Sequence, residues 1–196
     1  LDTLYPAIEF VNLTPENNTY QLETYVIINT TITETNLKEV KYGWNNTNYT
    51  MYNDSLVLMM NFDNVSSLGE NNTYVVDISG NDYNGTALNG PVINSTGKYT
   101  GAIHFDGDDD HLQIPTITFA NDFAISFWWN INHDSKYRFA ISEDSTGSSV
   151  KIGHNDDGSN FFVRVINGGS SDTSVSLPSE NEWHYITVVR DSSDKV

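Results

Sequence analysis

Apolar residues along this chain recur at every second position. In Phe123-Ala-Ile-Ser-Phe-Trp-Trp-Asn-Ile131, Phe123, Ile125, Phe127, Trp129 and Ile131 fall on one face and Ala124, Ser126, Trp128 and Asn130 on the other, the pattern of a strand with one buried face. The same alternation, rich in β-branched and aromatic residues and bounded by Asn, Asp, Gly and Ser clusters, predicts strands over 25–33, 40–44, 56–62, 102–105, 138–142, 150–153, 161–166 and 183–190. No stretch sustains the three-and-four apolar spacing of an amphipathic helix. Many short strands between turn signals predict an all-β chain built as a sandwich.

Asn155-Asp-Asp-Gly158 separates two of these strands and reads as a hairpin turn, its Asp-Gly supplying positive φ. Residues 1–53 differ from the rest: they are rich in Asn and Thr, carry three or four strands, and hold few large apolar residues beyond Phe10, Tyr25, Tyr42 and Trp44. A complete immunoglobulin-like domain has about seven strands. Residues 1–53 therefore read as half a sandwich, to be completed by strands from a parent chain or a partner, and residues 54–196 as a second domain. The chain opens at Leu1 without an initiator Met, and after the strand ending at Arg190 a turn, Asp191-Ser-Ser-Asp194, leads into Lys195-Val196, the start of a returning strand. A processed or excised piece, with its terminal hairpin interrupted, is the expectation.

Charge changes the list of partners. Nine Lys and Arg stand against 26 Asp and Glu, a net charge of −17, whose field repels nucleic-acid phosphates and anionic lipid. The longest apolar run, 56–60, is too short to cross a bilayer. Nucleic acid and membrane insertion are thus excluded from the expectations, whereas divalent cations are favoured. With no cysteine in the chain, disulfides and thiolate metal sites cannot form.

Five segments in order, Leu56-Val-Leu-Met-Met-Asn-Phe-Asp63, Val76-Asp-Ile-Ser-Gly-Asn-Asp-Tyr-Asn-Gly-Thr86, Gly101-Ala-Ile-His-Phe-Asp-Gly-Asp-Asp-Asp-His-Leu-Gln-Ile-Pro115, Phe123-Ala-Ile-Ser-Phe-Trp-Trp129 and Glu182-Trp-His-Tyr-Ile-Thr-Val-Val-Arg190, resemble a laminin G-like jelly roll of the concanavalin A-like lectin/glucanase superfamily, as found in prokaryotic surface proteins. The resemblance covers about seven-tenths of the chain, from Ser55 onward, and implies an antiparallel jelly-roll sandwich; the family's strands beyond Arg190 are missing. Residues 12–53 resemble the leading half of an immunoglobulin-like repeat of archaeal surface proteins.

Ten Asn-X-Ser/Thr triplets stand at Asn12, Asn17, Asn29, Asn45, Asn48, Asn53, Asn64, Asn71, Asn84 and Asn94, none with Pro in the middle and none beyond Asn94. Each is a formal acceptor for an N-glycan. Asp106-Gly-Asp-Asp-Asp110 crowds four carboxylates into five residues, and Asp77-Ile-Ser-Gly-Asn-Asp82 offers oxygens at alternate positions of a Gly-containing turn. Since laminin G-like relatives carry calcium at the sandwich rim, the resemblance makes Asp77, Asn81, Asp106, Asp108 and Asp109 calcium ligands; the alternative is a pair of solvated acidic turns. Trp128, with Tyr83, is a candidate ring for stacking on a sugar, the alternative being that a second sheet or an inserted loop covers it.

Catalytic patterns are missing. The superfamily's glucanases resemble one another in a strand with two Glu and an Asp at alternating positions, and retaining glycosidases need paired carboxylates close together; here Glu180 and Glu182 alternate without a third acid. His104, His111, His133, His154 and His184 form no zinc-spaced pair, and neither a Gly-X-Ser-X-Gly elbow nor a phosphate loop occurs. The first expectation is therefore a non-catalytic extracellular surface glycoprotein with a structural or adhesive role in an envelope layer or filament, meeting other copies of itself or other surface proteins by strand addition. The alternative is a calcium-dependent carbohydrate-binding lectin module, and a glycoside hydrolase is the distant third.

Overall fold

A computed structural model of the chain describes residues 5–191 except 13, 21, 23–25, 35, 36, 38, 54, 121, 133–135, 144–147, 157, 158, 168 and 169. The chain divides into two compact units, Leu1–Val57 and Leu58–Val196. All paired strands are antiparallel, and the only helical turn among the described residues is a 3-10 turn at Ser66–Leu68. No helix of the described residues is long and apolar enough to cross a membrane.

The first unit holds β1 (Ala7–Phe10), β2 (Thr30–Thr33), β3 (Glu39–Trp44) and β4 (Thr47–Asn53), paired as β1–β2 and β3–β4. Asn45 and Asn46 join β3 to β4 with φ of 49° and 61°, the left-handed pair that a two-residue hairpin requires and Asn tolerates. Of the strand expected over 25–33, only Thr30–Thr33 pairs, and Tyr25 lies outside the described residues. At the early end the Asn29 carbonyl still accepts the Val11 N–H at 3.0 Å, but the Thr14 hydroxyl donates to the same carbonyl at 2.8 Å and accepts from the Asn29 N–H at 2.6 Å, so a side chain takes the donor that would carry the ladder on. None of the described residues of this unit is buried, and Ile8, Phe10 and Trp44 are 60%, 72% and 59% exposed. Two separate ribbons with no buried side chain lack the core on which independent stability depends.

The second unit contains β5 (Tyr74–Val75), β6 (Gly85–Leu88), β7 (Val92–Asn94), β8 (Ala102–His104), β9 (His111–Gln113), β10 (Phe123–Asn130), β11 (Arg138–Ser142), β12 (Ser148–His154), β13 (Asn160–Asn167), β14 (Ser170–Ser176) and β15 (Trp183–Arg190). Two sheets enclose the core. The β11–β12–β13–β14 sheet contributes Val150, Ile152, Phe161, Val163 and Val165, and the β10–β15 pair contributes Ile125, Phe127, Trp129, Ile186 and Val188. Each such side chain, fully buried, is worth about 1.5–3 kcal/mol. The alternation read along β10 holds: Phe123, Ile125, Phe127 and Trp129 turn inward, while Ala124, Ser126, Trp128 and Asn130 face out. Smaller sheets, β5–β6–β9 and β7–β8, complete a fold consistent with the expected jelly-roll sandwich.

Residues 56–62 do not form the expected strand. Their exposure alternates as predicted, with Leu56, Leu58 and Met60 half-buried and Val57 and Met59 exposed, but their hydrogen bonds go elsewhere. The Met59 N–H donates to Asp77 Oδ1 at 3.0 Å and its carbonyl accepts from the Ile78 N–H at 2.8 Å. A turn and a side chain, rather than a neighbouring strand, hold this segment. The polar β14 carries no apolar alternation and was not predictable; it forms because β13 offers it an edge. Residues 157 and 158 of the β12–β13 connection, and the residues expected to begin a returning strand after Asp191, lie outside the described set.

Candidate carbohydrate-binding face and acidic turns

Trp128 stands on the outer face of β10, directly opposite Tyr185 of β15 in the register. Their ring centroids are 5.2 Å apart. A loop reaches the same face: the Tyr99 ring meets Trp128 edge-on at 5.7 Å, and the Lys98 ammonium lies 5.2 Å from the Trp128 centroid, within range of a cation–π attraction. Carboxylate chemistry anchors that loop, because Asp63 Oδ1 accepts from the Thr100 hydroxyl and, at 2.8 Å, from the Gly101 N–H. Gly101 admits no side chain, since a Cβ there would stand 2.1 Å from the Phe62 carbonyl oxygen. Part of Trp128 is thus covered by the inserted loop and part is open: Trp128 is 36% exposed, Tyr185 57% and Tyr99 73%. The arrangement presents flat apolar rings beside one ammonium group, a surface suited to the apolar face of a sugar with a donor at its edge.

Tyr83 sits away from this logic. It is half-buried, and its N–H donates to Asp77 Oδ2 at 3.1 Å. Asp77 itself is 5% exposed and accepts four hydrogen bonds: Oδ1 from the Met59 and Ser79 N–H groups at 3.0 and 2.9 Å, Oδ2 from the Ser79 hydroxyl at 2.8 Å and from Tyr83. Burial pushes its pKa up, but the four donors outweigh that and hold it below the ordinary aspartate value. The Asn84 side-chain oxygen closes the turn by accepting the Asp77 N–H at 2.9 Å, and exposed Asn81 donates to Ser79 Oγ at 3.1 Å. A carboxylate so fully engaged acts as a staple of the chain. Glu70, 4% exposed, staples a neighbouring loop in the same way through the Val65 and Val76 N–H groups.

In the second acidic turn, oxygens of Asp106, Asp109 and Asp110 lie within 4.8 Å of one another. Asp110 Oδ2 accepts the Asp106 N–H at 2.9 Å, and Asp106 Oδ1 accepts the Asp108 N–H at 2.7 Å. Asp108 turns to the Lys136 ammonium at 3.5 Å, and the Arg138 guanidinium lies against Gly107, whose φ is 82°. The structure therefore gathers two of the expected ligands, Asp106 and Asp109, with Asp110, which the sequence reading passed over; Asp77 and Asn81 belong to a different turn. Oxygens in this number suit a hard cation, and the chain's own cations already offset part of their repulsion.

Of the ten glycan acceptors, Asn12, Asn17, Asn29, Asn45, Asn48, Asn64 and Asn71 are exposed and Asn53, Asn84 and Asn94 half-buried. Three share one local geometry. The side-chain oxygens of Asn53, Asn71 and Asn94 accept from both the N–H and the hydroxyl of the Ser or Thr two residues on, which leaves these bonds independent of the amide nitrogen. At Asn29 and Asn64 the amide nitrogen is itself engaged, donating to the Asn12 carbonyl at 3.2 Å and to Asn72 Oδ1 at 3.1 Å.

One Ser, Glu and His meet at Ser179, Glu182 and His184. The Ser179 hydroxyl donates to Glu182 Oε2 at 2.5 Å and lies 3.3 Å from His184 Nε2. In a working triad the carboxylate orients the far nitrogen of the imidazole; here it binds the serine, with Ser179 and Glu182 exposed on one short turn and His184 half-buried at the start of β15. Glu180 is exposed beside them.

Residues 106–196, just under half of the chain, match the family model described as the concanavalin A-like lectin/glucanases superfamily. That part of the chain is similar to the concanavalin A-like, laminin G-like family, in line with its sequence resemblance. No curated protein and no solved structure matches. The superfamily's own description spans binding proteins and glucanases.

Proposed function

We propose that the second unit is a non-catalytic, lectin-like carbohydrate-binding module of an extracellular, N-glycosylated surface protein with an adhesive role. The observation that carries this reading is the open cluster of Trp128, Tyr185 and Tyr99 beside Lys98. In affinity electrophoresis through a neutral β-glucan or α-mannan, the chain is expected to be retarded and Trp128→Ala to lose about tenfold or more in affinity, about 1.4 kcal/mol. Its melting temperature should stay close to that of the parent, because the ring is on the surface. Equal retardation of parent and variant, or none for either, overturns the reading.

Calcium joins the proposal at Asp106, Asp109 and Asp110, where it would relieve carboxylate repulsion and fix the turn without contacting a reacting group. A cation that binds only the folded state adds stability by mass action, about 2.7 kcal/mol at a hundredfold excess over its Kd. The expected result is a higher melting temperature in millimolar calcium than in chelator, with the difference abolished in Asp109→Asn. An identical melt in both conditions makes the turn a solvated one.

The adhesive role rests on the first unit, whose described residues bury no side chain and whose strands lie in separate two-stranded ribbons. Open edges and exposed apolar faces recruit strands, so we place strand addition from another copy, or from another surface protein, at β1–β4. Native mass before and after deglycosylation tests this together with the glycans. Expected are a mass above that of the bare monomer, a fall on deglycosylation, and glycopeptides at Asn53, Asn71 and Asn94. A monomer of unmodified mass at all concentrations removes both ideas.

A further inference from the structure

The loop that carries Lys98 and Tyr99 to the Trp128 face is the tip of the β7–β8 hairpin. Asn94 ends β7 opposite Ala102 at the start of β8, and between them the Gly97 N–H donates to the Thr100 carbonyl at 3.0 Å. One side of this arm rests on Trp128, through Tyr99 at 5.7 Å and Lys98 at 5.2 Å. Its base is tied to Asp63 through the Thr100 hydroxyl and the Gly101 N–H. A cavity of about 470 Å³ opens at that base, lined by Asp63, Ile93, Ser95 and Thr100 and by two of the ten glycan acceptors, Asn64 and Asn94.

The two acceptors differ in what the amide nitrogen does. Asn64 Nδ2 donates to Asn72 Oδ1 at 3.1 Å. At Asn94 the Thr96 N–H and hydroxyl donate to Oδ1 at 3.0 and 2.5 Å, so the nitrogen, the atom that an N-glycan is joined to, takes no part in those bonds. Asn94 is half-buried, and a sugar attached there therefore starts among the cavity walls. Those walls suit it. Ile93, 8% exposed, offers apolar contact to the C–H face of a pyranose, while the Ser95 and Thr100 hydroxyls and the Asp63 carboxylate can hydrogen-bond its hydroxyls. Ligand cavities begin at about 300 Å³, so one ring fits and the remaining sugars leave past exposed Asn64, Ser95 and Thr100. Covalent attachment also makes the contact intramolecular, which raises the effective concentration of the ring at the cavity.

We propose that this cavity seats the first sugar of an N-glycan on Asn94, and that the seated sugar locks the 95–101 arm, and with it Tyr99 and Lys98, against Trp128. The inference rests on the reading of the chain as an N-glycosylated, lectin-like module, and it names the modification that sets the shape of the saccharide face. A ring over the base of the arm keeps water from the Asp63 bonds to Thr100 and Gly101, which strengthens them, and removes part of the arm's conformational freedom before any ligand arrives.

The test is hydrogen exchange of the full chain, parent and Asn94→Gln, each made in a host without N-glycosylation and in a host whose N-glycans begin with N-acetylglucosamine, the latter trimmed by endoglycosidase to that first sugar. Expected are a modified Asn94 and, with it, exchange at 96–101 about tenfold slower than in the unmodified parent, whereas Asn94→Gln should exchange alike from both hosts. Comparing hosts cancels the loss of the Thr96 bonds to Asn94, which the substitution disturbs in either case. Asn17→Gln removes an exposed acceptor of the first unit and should leave 96–101 as in the parent. Saccharide retardation should follow the exchange, the modified parent being held back more than the unmodified one. An unmodified Asn94, equal exchange in the two parents, or a slowing that persists in trimmed Asn94→Gln overturns the proposal. Exchange is read with no saccharide added, so a chain that is never retarded counts against the Trp128 reading, while slow exchange at 96–101 in the modified parent still supports the seated sugar.

Discussion

Asp77→Ala is expected to destabilise the second unit by about 3–5 kcal/mol, the cost of leaving several buried donors unsatisfied at once. Four donors converge on its two oxygens, from Met59, Ser79 and Tyr83. They belong to chain segments 18 residues apart, so the side chain replaces the strand pairing that residues 56–62 lack. Removing it leaves several N–H groups unsatisfied in a site that is 5% exposed, each costing about 1–3 kcal/mol unless water enters. Asp77→Asn separates charge from shape: one amide oxygen can still accept from Met59 and Ser79, but the NH2 would face the Tyr83 N–H, donor against donor. The sign of the pH dependence follows from the same geometry. Because the folded-state pKa is depressed, the unfolded chain binds the proton more readily, so stability is fully present above the ordinary aspartate value of about 4 and falls as pH drops through the folded value. Urea melts between pH 7 and 3 should show this loss in the parent and a smaller one in Asp77→Asn. A melt unchanged in Asp77→Ala at pH 7 would show that the turn is held by other contacts.

That staple also marks where sequence reading ran out. Alternation placed β10, β11 and β15 almost to the residue, because one buried face imposes period two and nothing else satisfies it. The same pattern over 56–62 was equally clear, and yet no strand formed: alternation reports which side chains are buried, whereas a strand also needs a neighbour's backbone, and here Asp77 and Ile78 supply the partners. Asp77 was legible as special for its place in a turn rich in oxygens, but spacing of oxygens does not reveal which backbone donors they accept from. Trp128 was legible because it is a large aromatic on the polar face of a core strand. Tyr185 follows once β10 and β15 are paired, but Lys98 and Tyr99 reach the face through a loop whose path depends on Asp63, and no local pattern encodes it. The contact between the Phe139 and Phe162 rings, 5.9 Å apart, was invisible for a related reason. The two rings belong to residues 23 positions apart in the chain and meet only through the β11–β12–β13 register.

Gly153→Ala is expected to be the most disruptive single-methyl change on the four-stranded sheet, with a cost of about 3 kcal/mol or more, at the upper end of overpacking effects. The φ of Gly153 is not left-handed, so conformational freedom is not what glycine supplies there. The irregularity of β11 between Phe139 and Ile141 lays the Arg138 carbonyl over β12, and a Cβ at position 153 would stand 2.0 Å from that oxygen and 3.2 Å from the Phe139 Cα. Both obstacles are backbone, so no rotamer change relieves them; β11 must lift away. Lifting it costs the β11–β12 ladder and the packing of Ile141 against the core, and it separates the Phe139 ring from Phe162. Ser174→Ala, on the same outer face but exposed, should stay within about 0.5 kcal/mol. Because β10 and β15 do not pair with β11, Gly153→Ala held below its melting point should retain the neutral-saccharide retardation that depends on Trp128. Hydrogen exchange should localise the change, with faster exchange at the β11 amides of 138–142 and unaltered protection along 123–130. A Gly153→Ala chain that melts with the parent and keeps the parent's exchange at 138–142 would mean that β11 accommodates the methyl without leaving the sheet.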